Sequence, residues 1–348
     1  MKMTHTVAEQ PADWTERGVF PVAPGLYRMP LPLPLVGLPA VNVYVLEGPD
    51  GLILIDAGWA SQEAYDRLGQ GLAELGHRLG DIDTFVITHA HWDHYSLASR
   101  VRQDHPQVGL VVGRGERETI EGYTSEIGIH GGQSAQLRRH GAAEIADRVD
   151  AKDREAYERD VPFDAPSRYL AEGDRLPLAD GSLQIEETPG HTKGHLTVRW
   201  PAAGMLFTGD HVLPNATPAL AMELVPDEHP LRTYLDSLRR TRADPDALML
   251  PAHGPIGGSV HARTEELLAH HAERLTEIEH LVAGGSRTAL EMARALPWTK
   301  RERKLDDLDV VHQMSAVMEV VAHLLVLQDE GRVRSQTDGD FPRWVPAR

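Results

Sequence analysis

The feature that most constrains this chain is the stretch HAHWDH at residues 89–94, in which four of six residues carry imidazole or carboxylate groups. It follows the apolar run DTFVIT at 83–88, which predicts a buried strand because β-branched and aromatic side chains fit a pleated surface. Successive side chains of an extended chain point to opposite faces, so His89 and His91 can reach one point. Asp93 and His94, where the chain turns into a helix, can reach a second point beside it. The stretch therefore predicts a site for two metal ions.

Three more candidate ligands occur downstream, each at the end of an apolar run. One histidine alone would mean little in a chain that contains 19 of them, because histidines serve many purposes in proteins. His191 follows the alternating segment LQIEE, Asp210 follows MLF, and His253 follows ALML, and a glycine adjoins each candidate. This repeated placement at strand ends indicates that the three side chains complete the site begun by residues 89–94.

These segments resemble the metallo-β-lactamase superfamily. The matching stretches occur in the family's order, and they are LILIDAG (52–58), THAHWDH (88–94), TPGHTKGH (188–195), FTGD (207–210) and PAHG (251–254). The resemblance implies two sets of three ligands, namely His89, His91 and His191 for one metal ion and Asp93, His94 and His253 for the other. It further implies that Asp210 bridges the two ions. Asp56 would lie behind the ligands and hold their loop in place, and His195 would be structural.

The order of the predicted elements sets the fold class as α/β. Strands that alternate with helices, followed by further strands and helices, predict a layered architecture. The resemblance implies the four-layer αβ/βα metallo-β-lactamase sandwich, with the metal ions at one edge between two sheets. We predict an N-terminal tail (1–20), a metallo-β-lactamase domain (21–284) and a small C-terminal domain (285–348). The apolar stretch 29–39 contains four prolines and is expected to form an irregular loop.

Residues 114–165 differ from their surroundings, because they are rich in charge and glycine and contain no strand-like run. We interpret them as a helical insertion that lies over the metal site, the usual position of a lid that selects substrate. Tyr123, His130 and Tyr157 are its candidate pocket residues. The alternative is a solvated pair of helices that makes no contact with substrate.

The C-terminal domain is predicted to contain two helices and a hairpin. Thr288 and Glu291 match a capping box, a longer helix is predicted from about Leu308 to Glu330, and a turn at 338–339 suggests a hairpin. This order resembles the small winged-helix appendage of the lactamase-beta-like protein 2 branch of the superfamily. We interpret the appendage as structural, as part of the pocket wall or of a contact in a homodimer.

Charge decides whether a winged helix would bind nucleic acid here. From Gly285 onward the chain has ten Lys and Arg and ten Asp and Glu, so the rest of the chain carries the whole net charge of −17. Nucleic-acid affinity depends on neutralising phosphates, and neither part is basic by composition. The one basic cluster, formed by Lys300, Arg301, Arg303 and Lys304, is interpreted as a solvated surface feature. No nucleic-acid partner is expected.

The ligand types indicate the chemistry. Histidine nitrogen and carboxylate oxygen suit zinc, and iron and manganese are also compatible, while the absence of cysteine excludes thiolate ligands. Two such divalent ions activate water for attack on carbon or phosphorus. Either Asp93, which is also an expected metal ligand, or a metal-bound water is expected to pass a proton to the leaving group. No apolar run long enough to cross a bilayer and no secretory signal is found, so a cytoplasmic enzyme is expected.

Differences between this chain and named subfamilies narrow the range of reactions that it is expected to catalyse. The main zinc class of β-lactamases usually offers a cysteine ligand, and redox diiron relatives carry Glu where this chain has His91. Glyoxalase II shares the ligand set, but its glutathione-binding C-terminal helices are not recognisable here. We therefore predict hydrolysis of a small-molecule thioester, ester or lactone, with phosphodiester or RNA hydrolysis as the alternative. A scaffold without chemistry is a third reading, against which the intact set of seven ligands argues.

Overall fold

Two β-sheets lie face to face at the centre of the molecule, and together they contain most of the strands. The computed structural model describes residues 8–35, 37–123, 131–152, 161–178, 181–220, 222–285, 287–299, 301–337 and 340–347. The first sheet has seven strands in chain order, which are β1 Phe20–Ala23, β2 Leu26–Leu35, β3 Leu38–Glu47, β4 Leu52–Ile55, β5 Ile82–Ile87, β6 Gly109–Gly113 and β7 Arg168–Leu170. The second has five strands in the order β12-β11-β10-β9-β8, which are β8 Arg175–Leu178, β9 Gly181–Glu187, β10 Leu196–Trp200, β11 Met205–Gly209 and β12 Leu248–Pro251.

Helices cover the outer face of each sheet. They are α1 Gln62–Glu74, α2 Trp92–Asp104, α3 Arg117–Tyr123, α4 Gly131–Arg139, α5 Ala143–Asp150, α6 Pro230–Ala243, α7 Val260–Ala283, α8 Ala289–Ala295 and α9 Val310–Asp329. Leu54 and its neighbours on alternate positions pack against α1 and α2, whereas Ile55 faces the second sheet. In the same way Phe207 points between the sheets and Leu206 points toward α6 and α7. The alternation therefore builds the predicted four-layer α/β sandwich, which is confirmed.

The prediction for residues 29–39 is wrong. This stretch forms most of β2 and the start of β3, which pair in antiparallel register from Leu26↔Leu46 to Leu35↔Leu38. Pro30, Pro32 and Pro34 are tolerated because positions two apart in a strand direct their backbone nitrogens to the same edge. Among the described strands, the only partner of β2 on that edge is the short strand β1, whose pairing with β2 ends at Arg28, so the edge is unpaired alongside the prolines. Pro30 and Pro32, which precede the irregularity in the pairing with β3, therefore cost no ladder hydrogen bond.

The helices of the 114–165 insertion pack on the C-terminal helices. Buried apolar residues of α4 and α5, among them Leu137 and Ile145, share one core with α6, α7, α8 and α9. The Arg148 guanidinium in α5 also donates to the side-chain oxygen of Gln313 in α9, at 2.8 Å. The insertion is therefore held from behind by the C-terminal segment.

The C-terminal elements match their predicted positions. Thr288 and Glu291 form the capping box of α8, and Asp309 caps α9. Strands β13 Val333–Thr337 and β14 Pro342–Pro346 pair as an antiparallel hairpin, while the 338–339 turn lies outside the described residues. The winged-helix assignment and the domain boundaries stay predictions.

Among the described helices, α9 alone is long and apolar enough to span a bilayer, with a mean hydropathy of 1.7 over its most apolar window. However, 67% of that window is buried inside the protein. A helix that is apolar on all sides is typical of a core position as well as of a membrane. Its packing against α4 to α8 accounts for its composition.

Candidate metal centre

All seven candidate ligands lie at one edge of the sandwich, where strands end. Residues 89–94 follow β5 and lead into α2, and His191 lies in the turn between β9 and β10. Asp210 follows β11 directly, and His253 comes two residues after β12. The structure therefore brings together side chains that are up to 164 residues apart in the sequence.

Three histidines form the first group. Nε2 of His89 lies 2.9 Å from Nδ1 of His91, and Nε2 of His191 lies 3.1 Å from the same Nδ1. The ligand atoms of the group all lie within 4.8 Å of one another. Nitrogen lone pairs this close repel unless a proton or a cation lies among them. The geometry therefore suits a metal ion held by three nitrogens.

The second group contains Asp93, His94 and His253. Nε2 of His253 lies 3.3 Å from both Nε2 of His94 and Oδ2 of Asp93. Its ligand atoms also lie within 4.8 Å of one another. The group offers two nitrogens and one carboxylate oxygen, a mixture that zinc, iron and manganese accept.

Asp210 lies between the two groups, and each of its oxygens faces one of them. Oδ2 is 3.5 Å from Nε2 of His191, whereas Oδ1 is 3.5 Å from Nε2 of His253 and 3.8 Å from Nε2 of His94. Oδ1 is buried and has no hydrogen-bond partner among the described residues. Such an orphaned carboxylate oxygen is costly unless a ligand satisfies it. The residues therefore fit two divalent ions that share Asp210.

Hydrogen bonds on the outer side of the rings set which nitrogen faces the centre. Four of the five ligand histidines make an outward contact through Nδ1. The partners are Thr88 Oγ1 for His89 (3.1 Å), Asp56 Oδ2 for His94 (2.9 Å), the Ala219 carbonyl for His191 (2.6 Å) and the Ala40 carbonyl for His253 (2.8 Å). An Nδ1–H that donates outward leaves Nε2 with a free lone pair directed inward. His91 is the exception, since its Nδ1 faces the centre.

Asp56 holds the first ligand loop from behind. Its carboxylate accepts hydrogen bonds from the Thr88 backbone N–H at 2.8 Å, the Thr88 hydroxyl at 2.9 Å and His94 Nδ1–H at 2.9 Å. The side chain is buried, and its backbone lies in the left-handed region at φ +60°, which Asp and Asn adopt more readily than most residues. This is the position that the family resemblance implies for Asp56.

His195 supports the loop that carries Asp210. Its Nδ1 contacts the Thr188 hydroxyl at 2.9 Å, and its Nε2 accepts the Asp210 backbone N–H at 3.1 Å. Gly209 lies at φ +49°, and a Cβ there would come within 2.6 Å of His195 Nε2. The ring therefore lies against the backbone of this loop and is turned away from the metal-facing atoms.

Burial and neighbouring charges divide the histidines into two kinds. Burial lowers the pKa of His91 to about 3 and that of His191 to about 4, so both rings are neutral at pH 7 with a lone pair available. Burial also opposes a charge on His94, but the surrounding carboxylates, Asp93 first, outweigh it and raise the pKa of His94 to about 10. The second group therefore has an excess of carboxylate charge that a cation can balance.

Of the three predicted pocket residues, Tyr123 is described and lies beside the centre, while His130 and Tyr157 lie outside the described residues. The Tyr123 ring is 5.9 Å from that of Trp92, which stands between ligands His91 and Asp93 in the chain. These rings belong to an aromatic cluster formed by Trp59, Trp92, Tyr95, Tyr123 and Phe163, with neighbouring ring centres 4.3 to 6.2 Å apart. The cluster borders the ligands on one side.

Two buried carboxyl groups beside the ligand loops were missed by the sequence reasoning. Glu116 and Glu223 are almost wholly inaccessible to solvent. Burial raises the pKa of Glu116 to about 7, and burial together with the charge of Glu116 raises the pKa of Glu223 to about 8. Their sequence context carried no signal, because Glu116 lies in a highly charged stretch and Glu223 in a loop without a motif.

Comparison with known proteins indicates the same family as the ligand motifs. The family model of the metallo-beta-lactamase superfamily matches residues 36–253. The probable metallo-hydrolase YqjP of Bacillus subtilis (strain 168) is 26% identical over 307 residues, which is 86% of this chain and 91% of that protein. The crystal structure of a beta-lactamase domain protein from Burkholderia ambifaria has 27% identity and a TM-score of 0.79, over 97% of this chain and 96% of that one. The acyl-coenzyme A thioesterase MBLAC2 of Gallus gallus is 27% identical over 181 residues, 49% of this chain and 57% of that protein.

The fold, the ligand loops and a family model that spans more than half of the chain define one class: this protein belongs to the metallo-beta-lactamase superfamily. It is a metallo-hydrolase of that superfamily, with His and Asp groups that can hold divalent metal. Its place in a glyoxalase II-like or lactamase-beta-like protein 2 branch stays a prediction.

Proposed function

We propose that this protein hydrolyses an acyl bond, in the first place that of a thioester, with two divalent metal ions held by the seven ligands. The observation that carries the proposal is the meeting of two three-residue groups on the two oxygens of Asp210. Bound there, two divalent ions would supply water activated at neutral pH and a Lewis acid for a carbonyl oxygen. Zinc is the proposed metal, because a group of three histidine nitrogens suits it well.

Asp93 is the proposed proton carrier. Burial favours its neutral form, but His94 and His253 outweigh burial and hold the pKa of Asp93 below its usual range. The carboxylate is therefore ionised at neutral pH and can accept a proton. Because its proton affinity is low, it would take up the proton only transiently and pass it to the leaving group as the acyl bond breaks. No nucleophilic side chain is required.

The surroundings of the centre favour an acyl carbon over phosphorus. Trp92, which precedes Asp93 in the chain, packs with Tyr123 and Phe163, and the three half-buried rings offer an apolar surface that suits an apolar acyl group. Two arginines of the insertion are already engaged in ion pairs, Arg114 with Glu187 at 3.0 Å and Arg138 with Asp147 at 2.6 Å. The chain as a whole is acidic, so a polyanionic RNA is repelled at long range.

The similarity to an acyl-coenzyme A thioesterase supports the same choice at the level of substrate class. Phosphodiester hydrolysis is the alternative, because the metal chemistry itself serves either reaction. The two reactions differ in the group that must be bound beside the metal ions. The aromatic cluster suits an apolar acyl group and therefore favours acyl hydrolysis over phosphodiester hydrolysis.

The test begins with metal content. Protein grown with added zinc, iron and manganese is expected to contain close to two metal ions per chain. It is then assayed against short acyl thioesters, esters, lactones, a generic phosphodiester and a structured RNA. We expect thioester turnover that follows metal content. Nuclease activity that follows metal content, without turnover of any acyl substrate, contradicts the proposal.

The Asp93→Asn variant tests the proton carrier. An amide cannot accept the proton, so kcat for the thioester is expected to fall by about 10²- to 10⁴-fold. Asp236→Asn, at an exposed ion pair in α6, is the matched control and should leave turnover unchanged. Metal content is measured for both variants, because Asp93 is also a proposed ligand.

A further inference from the structure

Glu116 connects the two loops that carry the first ligand group. It lies in the single 3₁₀ turn that follows β6. Its carboxylate accepts a hydrogen bond from the Thr192 hydroxyl, and the backbone N–H groups of Ala90 and Gly194 lie close enough to lower its pKa, against the larger effect of burial. Ala90 lies between His89 and His91 in the chain, and Thr192 follows His191 directly. One buried carboxylate therefore accepts a hydrogen bond from the 191–194 loop and lies beside a backbone N–H of the 89–91 loop.

The backbone is packed so closely here that the carboxylate reaches both loops. A Cβ on Gly113 would lie 2.0 Å from the Gly194 carbonyl oxygen, and one on Gly115 would lie 2.6 Å from the Lys193 carbonyl oxygen. Only glycines allow the 113–116 turn to lie directly on the 193–194 loop. Within this close approach the side chain of Glu116 is fully buried.

Glu223 makes a second connection to the same loop. Its carboxylate accepts the Lys193 backbone N–H at 3.0 Å and the Thr119 hydroxyl of α3 at 3.3 Å. The side-chain amide of Gln133 in α4 donates to the Glu223 carbonyl. Glu223 therefore connects the loop after His191 to α3 through its carboxylate and to α4 through its backbone carbonyl.

We propose that Glu116 is a positioning residue of the metal centre, whose carboxylate holds loops 89–91 and 191–194 at the separation at which His89, His91 and His191 meet around one ion. Glu223 connects this arrangement to α3 and α4. The inference rests on the ligand assignment of the proposed function. Groups that lie behind metal ligands and orient them typically contribute about 10- to 100-fold to metal affinity.

Glu116→Gln is the decisive variant. An amide keeps the size of the side chain but removes the negative charge and replaces one acceptor oxygen by a donor, so the side chain can no longer attract donors from both ligand loops. Glu118→Gln is the matched control, because Glu118 reaches the same loop only through an exposed ion pair with Lys193 Nζ at 2.6 Å. Exposed pairs contribute little.

The readouts are the zinc dissociation constant by chelator competition and the thermal unfolding of the metal-free protein. We expect about 10- to 100-fold weaker binding for Glu116→Gln and a change within about threefold for Glu118→Gln. If Glu116→Gln does not fold, Thr192→Val removes the hydroxyl from the other side and should weaken binding about fivefold, as for one lost hydrogen bond.

Two outcomes overturn the inference. A variant that lowers only the unfolding temperature of the metal-free protein, with an unchanged zinc dissociation constant, shows a role in folding alone. In that case the proposed function stands, because the wild type still binds metal. A wild type that binds no metal overturns the proposed function, and this inference with it.

Discussion

Replacing Asp56 by Asn is expected to weaken the second metal group while it leaves the fold intact. Asn can replace Asp56 without a change of backbone conformation, because Asn also readily adopts the left-handed conformation found here, at φ +60°. The substitution therefore adds no backbone strain. It changes only the charge and the number of acceptors behind His94 and Thr88.

The magnitude follows from the contacts. The carboxylate accepts from the Thr88 N–H, the Thr88 hydroxyl and His94 Nδ1–H, at 2.8 to 2.9 Å. An amide has one acceptor oxygen, so either His94 or Thr88 loses its partner. A hydrogen bond to a charged group contributes about 1.5–3 kcal/mol, and about 1.4 kcal/mol corresponds to a tenfold change in an equilibrium constant. Metal affinity of the second group should therefore fall by about 10- to 100-fold, as for other groups behind ligands.

The assay is chelator competition with one and two equivalents of zinc, with calorimetry of the metal-free protein alongside. Asp236→Asn, which removes an exposed ion pair with Arg239 at 2.6 Å, serves as the control and should bind as the wild type does. If Asp56→Asn binds two equivalents within about threefold of the wild-type affinity, Asp56 does not orient His94 and the reasoning is refuted.

Three further predictions concern other parts of the molecule. Asp210→Asn should reduce the affinity of both metal groups, whereas His253→Ala should mainly empty the second, and elemental analysis distinguishes the two patterns. Burial lowers the pKa of His323 to about 4, so below about pH 6.5 the unfolded chain binds a proton that the folded chain does not. The free energy of unfolding should therefore fall by up to about 1.4 kcal/mol per pH unit between pH 6.5 and 4, and His323→Gln should flatten this slope in denaturant titrations of the metal-free protein. Filter binding should detect no salt-dependent affinity for RNA or DNA below micromolar concentrations, and binding that weakens when the basic cluster is neutralised would overturn that expectation.

The ligand loops were predictable because their signals are local. Each candidate ligand follows an apolar strand within a few residues, and the ends of these strands in both sheets lie at the same edge of the sandwich. The start of α8 was equally predictable, since Thr288 accepts a backbone N–H of its own helix. In these cases the partner that determines the structure lies only a few positions away.

The structural features that could not be predicted depend on residues that are far away in the sequence. The prolines of β2 are compatible with a strand only because β1 is short and leaves their edge unpaired. Glu116 is an ordinary charged residue in the sequence, and its role depends on Thr192, which is 76 positions away. Local composition describes neither the length of a neighbouring strand nor the burial of a carboxylate.

The C-terminal segment is joined to the metal centre by a continuous series of contacts. Helix α9 packs on α4 and α5, and α4 places the Gln133 amide against the Glu223 carbonyl. The Glu223 carboxylate in turn accepts the Lys193 N–H, two residues beyond His191. Interiors packed at this density transmit strain, so the position of α9 constrains the ligand loop through the insertion. The apolar composition of α9 follows from this buried position, because its side chains pack on the helices of the insertion as well as on α6 to α8.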